Sequence, residues 1–154
     1  PILNNNDLNL IIKENIKLLK QIDQSIMIDN INNRDSVLFN CDKEQISRVF
    51  LNLIKNSIES IQEKASKISN FQKKISIELI NTNTYIKIII TDNGKGFDNM
   101  ENNINVILDP YYTTKKNGTG LGLSIVNKII NDHNGFIKFI SIKDGAKIEV
   151  TLTK

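Results

Sequence analysis

The segment DKEQISRVFLNLIKNSIESI, residues 42–61, decides the fold. Asp42, followed three residues later by Gln45, is a capping box and predicts a helix that begins there and continues to about Lys64. Its apolar residues recur at the spacing of one helical face, namely Ile46, Val49, Phe50, Leu53, Ile58 and Ile61. The segment therefore predicts a long helix packed on a core.

The same helix carries two asparagines. Asn52 and Asn56 are four residues apart, so their carboxamides project from the same side. An amide oxygen is a hard, neutral ligand that suits Mg²⁺, which takes its remaining oxygens from water and nucleotide phosphates. The alternative is a polar helix face turned to water, and the pair alone does not decide between the two.

A carboxylate ends an apolar strand predicted over Ile86 to Ile90. Asp92 is followed by Gly94 and Gly96 in the sequence TDNGKGF, residues 91–97. A carboxylate at this place can accept a hydrogen bond from the exocyclic amine of adenine, and the two glycines would let the chain turn beside the base. Guanine would be rejected because it carries a carbonyl in place of that amine, and a carbonyl cannot donate to a carboxylate. An ordinary Asp-Asn-Gly turn is the alternative.

A glycine-rich run, PYYTTKKNGTGLGL, covers residues 110–123 and leads into a helix predicted from Leu121 to about His133. Its alternating glycines let backbone N–H groups approach an anion, and the helix adds its positive end. The spacing excludes a dinucleotide fingerprint, which needs glycine at Leu123, and no lysine-terminated P-loop is present. A nucleotide-binding segment and a plain flexible loop both fit the run by itself.

The remaining pattern predicts one α+β domain. A helix from Leu8 to about Lys20 is capped by Asp7, and a short helix falls near Asn99 to Ile107. Three strand pairs are predicted: 25–31 with 36–41 around the turn at 32–35, 74–82 with 85–92, and 135–141 with 147–152. The expected architecture is a two-layer sandwich, with a mixed, mostly antiparallel sheet covered on one face by about three helices.

Composition limits the classes of protein. The chain has 154 residues, a formal charge of +3 and 40% hydrophobic residues, which fits a soluble domain. Its lysines are scattered without a basic stripe interleaved with aromatics, so nucleic acid is not an expected partner. The single cysteine, Cys41, fits a reducing compartment and a small buried position at a strand end. The chain begins without methionine and is expected to be a cytoplasmic piece of a longer protein, which membrane segments elsewhere could anchor.

Taken together and in order, the segments 42–61, 91–97 and 110–123 resemble the sequence motifs of sensor histidine kinases that are called the N, G1, F and G2 boxes. The resemblance runs from about residue 42 to the end, and the sequence around Asn52 and Thr113 is most similar to that of the nitrogen-regulation sensor kinases. It implies a Bergerat fold, the ATP-binding fold shared with gyrase, Hsp90 and MutL, with ATP and Mg²⁺ as cofactors. It also implies a division into a linker helix and strand pair, 1–41, and a catalytic domain, 42–154.

The resemblance assigns roles residue by residue. Asn56 would be the principal Mg²⁺ ligand, with Asn52 beside it at the phosphates, and Asp92 would anchor adenine beside Gly94 and Gly96. A flexible lid over about 95–119 is expected to become ordered when ATP binds, and Lys115 or Lys116 on it would neutralise charge on the γ-phosphoryl group. Lys55 is a weaker phosphate candidate. The other ATP contacts implied near the lid are Tyr112, Thr113, Gly118, Thr119, Gly120, Leu121, Gly122 and Leu123.

The implied reaction is transfer of the γ-phosphoryl group of ATP to a histidine on a dimerisation domain absent from this chain. His133, the only histidine, is expected to be a helix-end residue. Relatives that hydrolyse ATP carry a glutamate where Asn52 stands, which favours transfer over hydrolysis. Many relatives carry a basic residue where Glu59 stands, so the phosphate contacts are the least defined part of the site. A degenerate regulatory module and a conformational ATPase are the alternatives.

The implied partners are that dimerisation domain and, through it, a response regulator. The fragment is expected to be a monomer and the longer protein a homodimer.

Overall fold

The computed structural model describes residues 1–31, 35–97 and 122–154. Its elements, in chain order, are β1 (Asn4–Asp7), α1 (Leu8–Leu19), β2 (Met27–Ile31), β3 (Leu38–Cys41), α2 (Lys43–Ala65), β4 (Lys74–Asn81), β5 (Tyr85–Asp92), α3 (Gly122–Asp132), β6 (Gly135–Ile142) and β7 (Gly145–Thr153). The short helix expected near Asn99 to Ile107 and most of the expected lid lie outside the described residues.

The main sheet has five strands in the order β2-β4-β5-β7-β6. β2 runs parallel to β4, and the other neighbours are antiparallel. Along β4 and β5 every second side chain is buried, as expected for a sheet with one covered face. These side chains share one core with the apolar faces of the three helices, which confirms the α+β sandwich with a mixed, mostly antiparallel sheet.

The first predicted strand pair is wrong in its pairing, although both strands exist. β2 pairs with β4, with Met27 opposite Lys74, and β3 pairs with β1, with Cys41 opposite Asn4. β1 is an Asn-rich strand without apolar alternation and was not predicted. It is held by the backbone ladder and by Asn6, whose Nδ2 donates to the carbonyl of Cys41 at 2.9 Å. The other two predicted pairs, β4 with β5 and β6 with β7, are confirmed.

α1 begins where the sequence predicts. The Asp7 carboxylate accepts from the backbone N–H of Asn9 at 3.0 Å and also from that of Val37 at 3.0 Å, so it caps α1 and fixes the approach to β3. Leu8, Ile11 and Ile12 are almost fully buried. α1 therefore contributes to the same core as α2.

α2 confirms the predicted amphipathic helix, because all six apolar residues named above are buried. The Asp42 carboxylate caps it by accepting from the N–H of Gln45 at 3.1 Å. The return bond of the predicted capping box is absent: the N–H of Asp42 donates instead to His133 Nε2 at 3.1 Å. A residue just beyond α3 thus satisfies the first donor of α2.

Cys41 is fully buried at the end of β3, as predicted. None of the helices in the described ranges combines the length and apolarity that a membrane crossing requires.

Candidate nucleotide-binding site

The floor of the candidate site is the middle of α2. Asn52 and Asn56 are both half-buried, at the border between the apolar face and solvent. Between them Leu53 and Ile54 are buried in the core, which fixes the rotation of the helix and so the direction of the two carboxamides. Lys55 is exposed and, one position before Asn56, points about 100° away from it.

The carboxylate at the end of β5 is buried. Asp92 is 5% exposed, and its Oδ1 accepts from the N–H of Gly94 at 2.9 Å. Burial raises the pKa of Asp92 above the usual value, and the Gly94 N–H partly offsets this. A buried carboxylate at a strand end that retains accepting capacity is suited to bind a donor such as an exocyclic amine.

Gly94 holds the loop after β5 directly against α2. A Cβ built on Gly94 would lie 2.9 Å from the backbone N of Ile61 and 2.9 Å from the carbonyl carbon of Ser60. The N–H of Lys95 donates to Ser60 Oγ at 2.9 Å, which fixes the next residue on the same turn. Only glycine permits this approach, so Gly94 positions Asp92 beside the helix that carries the asparagines.

The loop is also fixed from the β6–β7 turn. Gly96 has a φ of +79°, the left-handed region that favours glycine. A Cβ on Gly145 would collide with the carbonyl oxygen of Asp92. Lys64 Nζ donates to the carbonyl of Gly94 at 3.2 Å. The end of β5 is therefore held between α2 and the final hairpin.

The second wall is the start of α3. A Cβ on Gly122 would lie 3.8 Å from Asn52 Oδ1, so the first residue of α3 faces the first asparagine of α2. Unpaired N–H groups at a helix N-terminus attract anions. Leu123, the next residue, packs against the core and anchors this end.

The far end of α3 is attached to the start of α2. His133 is 3% exposed, its Nδ1 is 2.7 Å from the carbonyl of Ile129, and its Nε2 accepts from Asp42. With Nδ1 as donor and Nε2 as acceptor, the imidazole is neutral and both nitrogens are used. This confirms the structural role predicted for His133.

The structure thus brings together Asp92, Gly94, Asn52, Asn56 and Gly122, with Gly96 and Leu123 at the edges. Eight of the implied site residues lie outside the described residues: Tyr112, Thr113, Lys115, Lys116, Gly118, Thr119, Gly120 and Leu121.

Sequence reasoning missed four contributors to the site. Ser60 lies four residues after Asn56, so helical spacing alone could have identified it. Ser57, Lys64 and Gly145 act through contacts between distant segments, and no local pattern identifies them.

Comparisons with known proteins identify the family of the chain. Residues 41–154 match the family described as "Histidine kinase-, DNA gyrase B-, and HSP90-like ATPase". A protein named as an NtrY-like sensor histidine kinase in Rickettsia conorii is 31% identical over 151 residues, which is 97% of this chain and 24% of that protein. The chain thus spans about a quarter of the length of that relative.

Solved structures give the same result. A nucleotide-free catalytic domain of the histidine kinase ThkA matches 99% of this chain and 97% of its own, with a TM-score of 0.83 and 26% identity. ThkA in complex with the response regulator TrrA matches 99% of this chain and 42% of its own, with a TM-score of 0.77 and 24% identity. The chain therefore belongs to the family of histidine kinase-, DNA gyrase B- and HSP90-like ATPases, and within it to the catalytic domains of sensor histidine kinases.

Proposed function

We propose that this domain binds Mg–ATP between α2, the loop after β5 and the start of α3, and transfers the γ-phosphoryl group to a histidine outside this chain. The observation that carries the proposal is that α2 contacts, at one end, the loop that follows the buried Asp92 carboxylate and, at the other, the start of α3. The two contact points, at Ser60 and Asn52, are about 12 Å apart along the helix at 1.5 Å per residue. That distance suits a nucleotide lying along α2.

Asp92 would bind the base. Its carboxylate would accept from the adenine amine, while the Gly94 N–H keeps Oδ1 in place. The amine pairs best with the ionised carboxylate, whereas burial raises the pKa of Asp92. ATP binding should therefore weaken as the pH falls and the carboxyl becomes protonated.

Asn56, with Asn52 beside it, would hold Mg²⁺ with amide oxygens. In the described part of the chain no three His, Cys, Asp or Glu residues cluster as a metal cage would require. Such a site fits an ion that takes most of its oxygens from phosphates and water. When bound, Mg²⁺ would neutralise charge on the β- and γ-phosphates.

Phosphoryl transfer depends mainly on positioning and electrostatics, so the protein need not supply a strong base. Asn52 cannot act as one, which favours transfer over hydrolysis. Lys115 and Lys116 remain our candidates for contact with the γ-phosphoryl group. Our candidate for the lid remains about residues 95–119, with Gly118, Gly120 and Gly122 on its phosphate side.

The acceptor would be supplied by another part of the longer protein. His133 is the only histidine of the chain, and it is buried with both nitrogens hydrogen-bonded. A buried imidazole with both nitrogens in hydrogen bonds cannot attack a phosphoryl group. We therefore expect a separate dimerisation domain as phosphate acceptor, a homodimeric and cytoplasmic kinase region, and a response regulator as the final partner, as ThkA has TrrA.

The test is an Asp92→Asn variant, with Asp132→Asn as the matched control on the exposed end of α3. Losing a hydrogen bond to a charged group costs about 1.5–3 kcal/mol, so Asp92→Asn should weaken ATP binding about 10- to 150-fold in calorimetry. It should also abolish transfer of ³²P from ATP to a separately supplied dimerisation domain. The control should do neither. An Asp92→Asn protein that binds ATP within twofold of the unmodified chain would refute the site, and steady phosphate release without transfer would indicate an ATPase.

A further inference from the structure

Ser57 is the residue of the site that the proposed function does not use. It follows Asn56 on α2 and is 2% exposed. Its Oγ is inaccessible to water and makes no hydrogen bond of normal geometry with any group in the described ranges. Leaving a buried hydroxyl unsatisfied costs about 1–3 kcal/mol, so its presence in a well-packed helix requires an explanation.

The hydroxyl lies beside Asp92. The loop after β5 contacts α2 at Ser60 and Ile61, one turn beyond Ser57, and the Asp92 carboxylate is buried against this part of the helix. The Ser57 side chain is close enough to lower the pKa of Asp92, opposing the effect of burial. The hydroxyl is thus near the carboxylate but makes no hydrogen bond of normal geometry to it.

We propose that Ser57 is a positioning residue for adenine recognition, whose hydroxyl donates to the Asp92 carboxylate when that carboxylate accepts the adenine amine. The inference rests on the proposed function and specifies how its base contact is made. One carboxylate oxygen is held by Gly94. The Ala146 N–H also lowers the pKa of Asp92. A side-chain donor from α2 then fixes the plane of the carboxylate and favours its ionised form while the base excludes water.

The proposal separates stability from affinity. Ser57→Ala removes an unsatisfied buried hydroxyl, so the unliganded protein should unfold at the same temperature or higher. The same change should weaken ATP binding about 10- to 150-fold, because one hydrogen bond to a charged acceptor is lost. A residue with only a packing role would lower stability and affinity together.

Two further measurements identify the mechanism. The acid limb of the ATP-affinity profile should move to higher pH in Ser57→Ala, because the carboxylate loses a donor that favours its charged form. The preference for ATP over purine riboside triphosphate, which lacks the amine, should shrink, because the amine contact is the one that Ser57 supports.

Ser57→Cys keeps the shape of the side chain with a slightly larger γ atom but is a weak donor, so its ATP affinity should resemble that of Ser57→Ala. Ser47→Ala, near the start of the same helix, is the matched control and should leave affinity, pH profile and base preference unchanged. The inference is overturned if Ser57→Ala binds both nucleotides as the unmodified chain does, or weakens both equally without a shift in the pH profile. Failure of the unmodified chain itself to bind ATP would instead overturn the proposed function.

Discussion

Gly94 and Gly122 both belong to glycine motifs, yet the structure predicts opposite results when each is replaced by alanine. At Gly94 a Cβ would lie 2.9 Å from two backbone atoms of α2, whereas ordinary contacts begin at 3.4 Å. The loop would have to move by about 0.5 Å or more. At Gly122 the nearest atom among the described residues, Asn52 Oδ1, is 3.8 Å away, so a methyl group fits beside α2.

The size of the effect follows from this overlap. Forcing extra volume into a packed contact costs about 1–3 kcal/mol. For a chain of this size each kcal/mol lowers the melting temperature by about 2–4 °C, so Gly94→Ala should melt about 2–12 °C lower. Gly122→Ala lies on a helix, where alanine is favoured over glycine by up to about 1 kcal/mol, and should melt at the same temperature or slightly higher.

The assay is thermal unfolding of both variants without nucleotide, followed by circular dichroism. Gly94→Ala should also lose affinity for ATP, because the displaced loop carries Asp92 and its bond to Gly94. Equal melting temperatures for the two variants, within about 1 °C, would refute the inference that Gly94 packs directly against α2.

Three other predictions follow from contacts outside the loop. The Asp23 carboxylate is bonded to Lys73 Nζ at 2.8 Å and to Ser25, and both hold its pKa far below the usual range. These bonds stabilise the folded protein fully above the unfolded-state pKa of about 3.9, and the stabilisation is lost as the pH falls below that value. Asp23→Asn should therefore cost about 1.5–3 kcal/mol in urea unfolding at pH 7 and less at pH 3, unlike a similar change at the exposed Asp132; an equal loss at both pH values would contradict the assignment. His133→Phe leaves the Asp42 N–H and the Ile129 carbonyl without their hydrogen-bond partner, and should lower the free energy of unfolding by about 1–3 kcal/mol for each. Unchanged stability would show that neither hydrogen bond stabilises the fold. A shortened protein of residues 42–154 should show no cooperative unfolding in near-UV circular dichroism. It lacks the buried side chains of Leu8, Ile11 and Ile12, whose burial stabilises the fold by about 5–9 kcal/mol. A sharp unfolding transition would show that α1 is dispensable.

The sequence predicted what local chemistry determines. The periodicity of α2, the caps at Asp7 and Asp42, and two of the strand pairs depend on residues close together in the chain, and they are confirmed. The pairing of β2 with β4 could not be predicted in this way, because a parallel partner lies far along the chain and leaves no turn signal.

The same distinction between local patterns and contacts of distant segments applies to the candidate site. Asn52, Asn56 and Asp92 could be proposed because the segments that carry them, taken in order, resemble the motifs of sensor histidine kinases, whereas the type and spacing of each alone did not decide. Ser57 and Gly145 were not, because their roles depend on how closely β5 approaches α2 and the final hairpin. The bond from Asp42 to His133 joins residues 91 positions apart, and no local pattern predicts it.

The position of β7 has a consequence for biosynthesis. β7 lies inside the sheet between β5 and β6, although it follows both in the chain. Between the end of β5 at Asp92 and the start of β7 at Gly145 the ribosome adds 53 residues, which takes about 3–10 s at 5–20 residues per second. During that interval one edge of β5, in the middle of the future sheet, has no partner and can pair with other chains. The unpaired edge of β5 is therefore the place where we expect the nascent chain to be most prone to misassembly until β7 emerges.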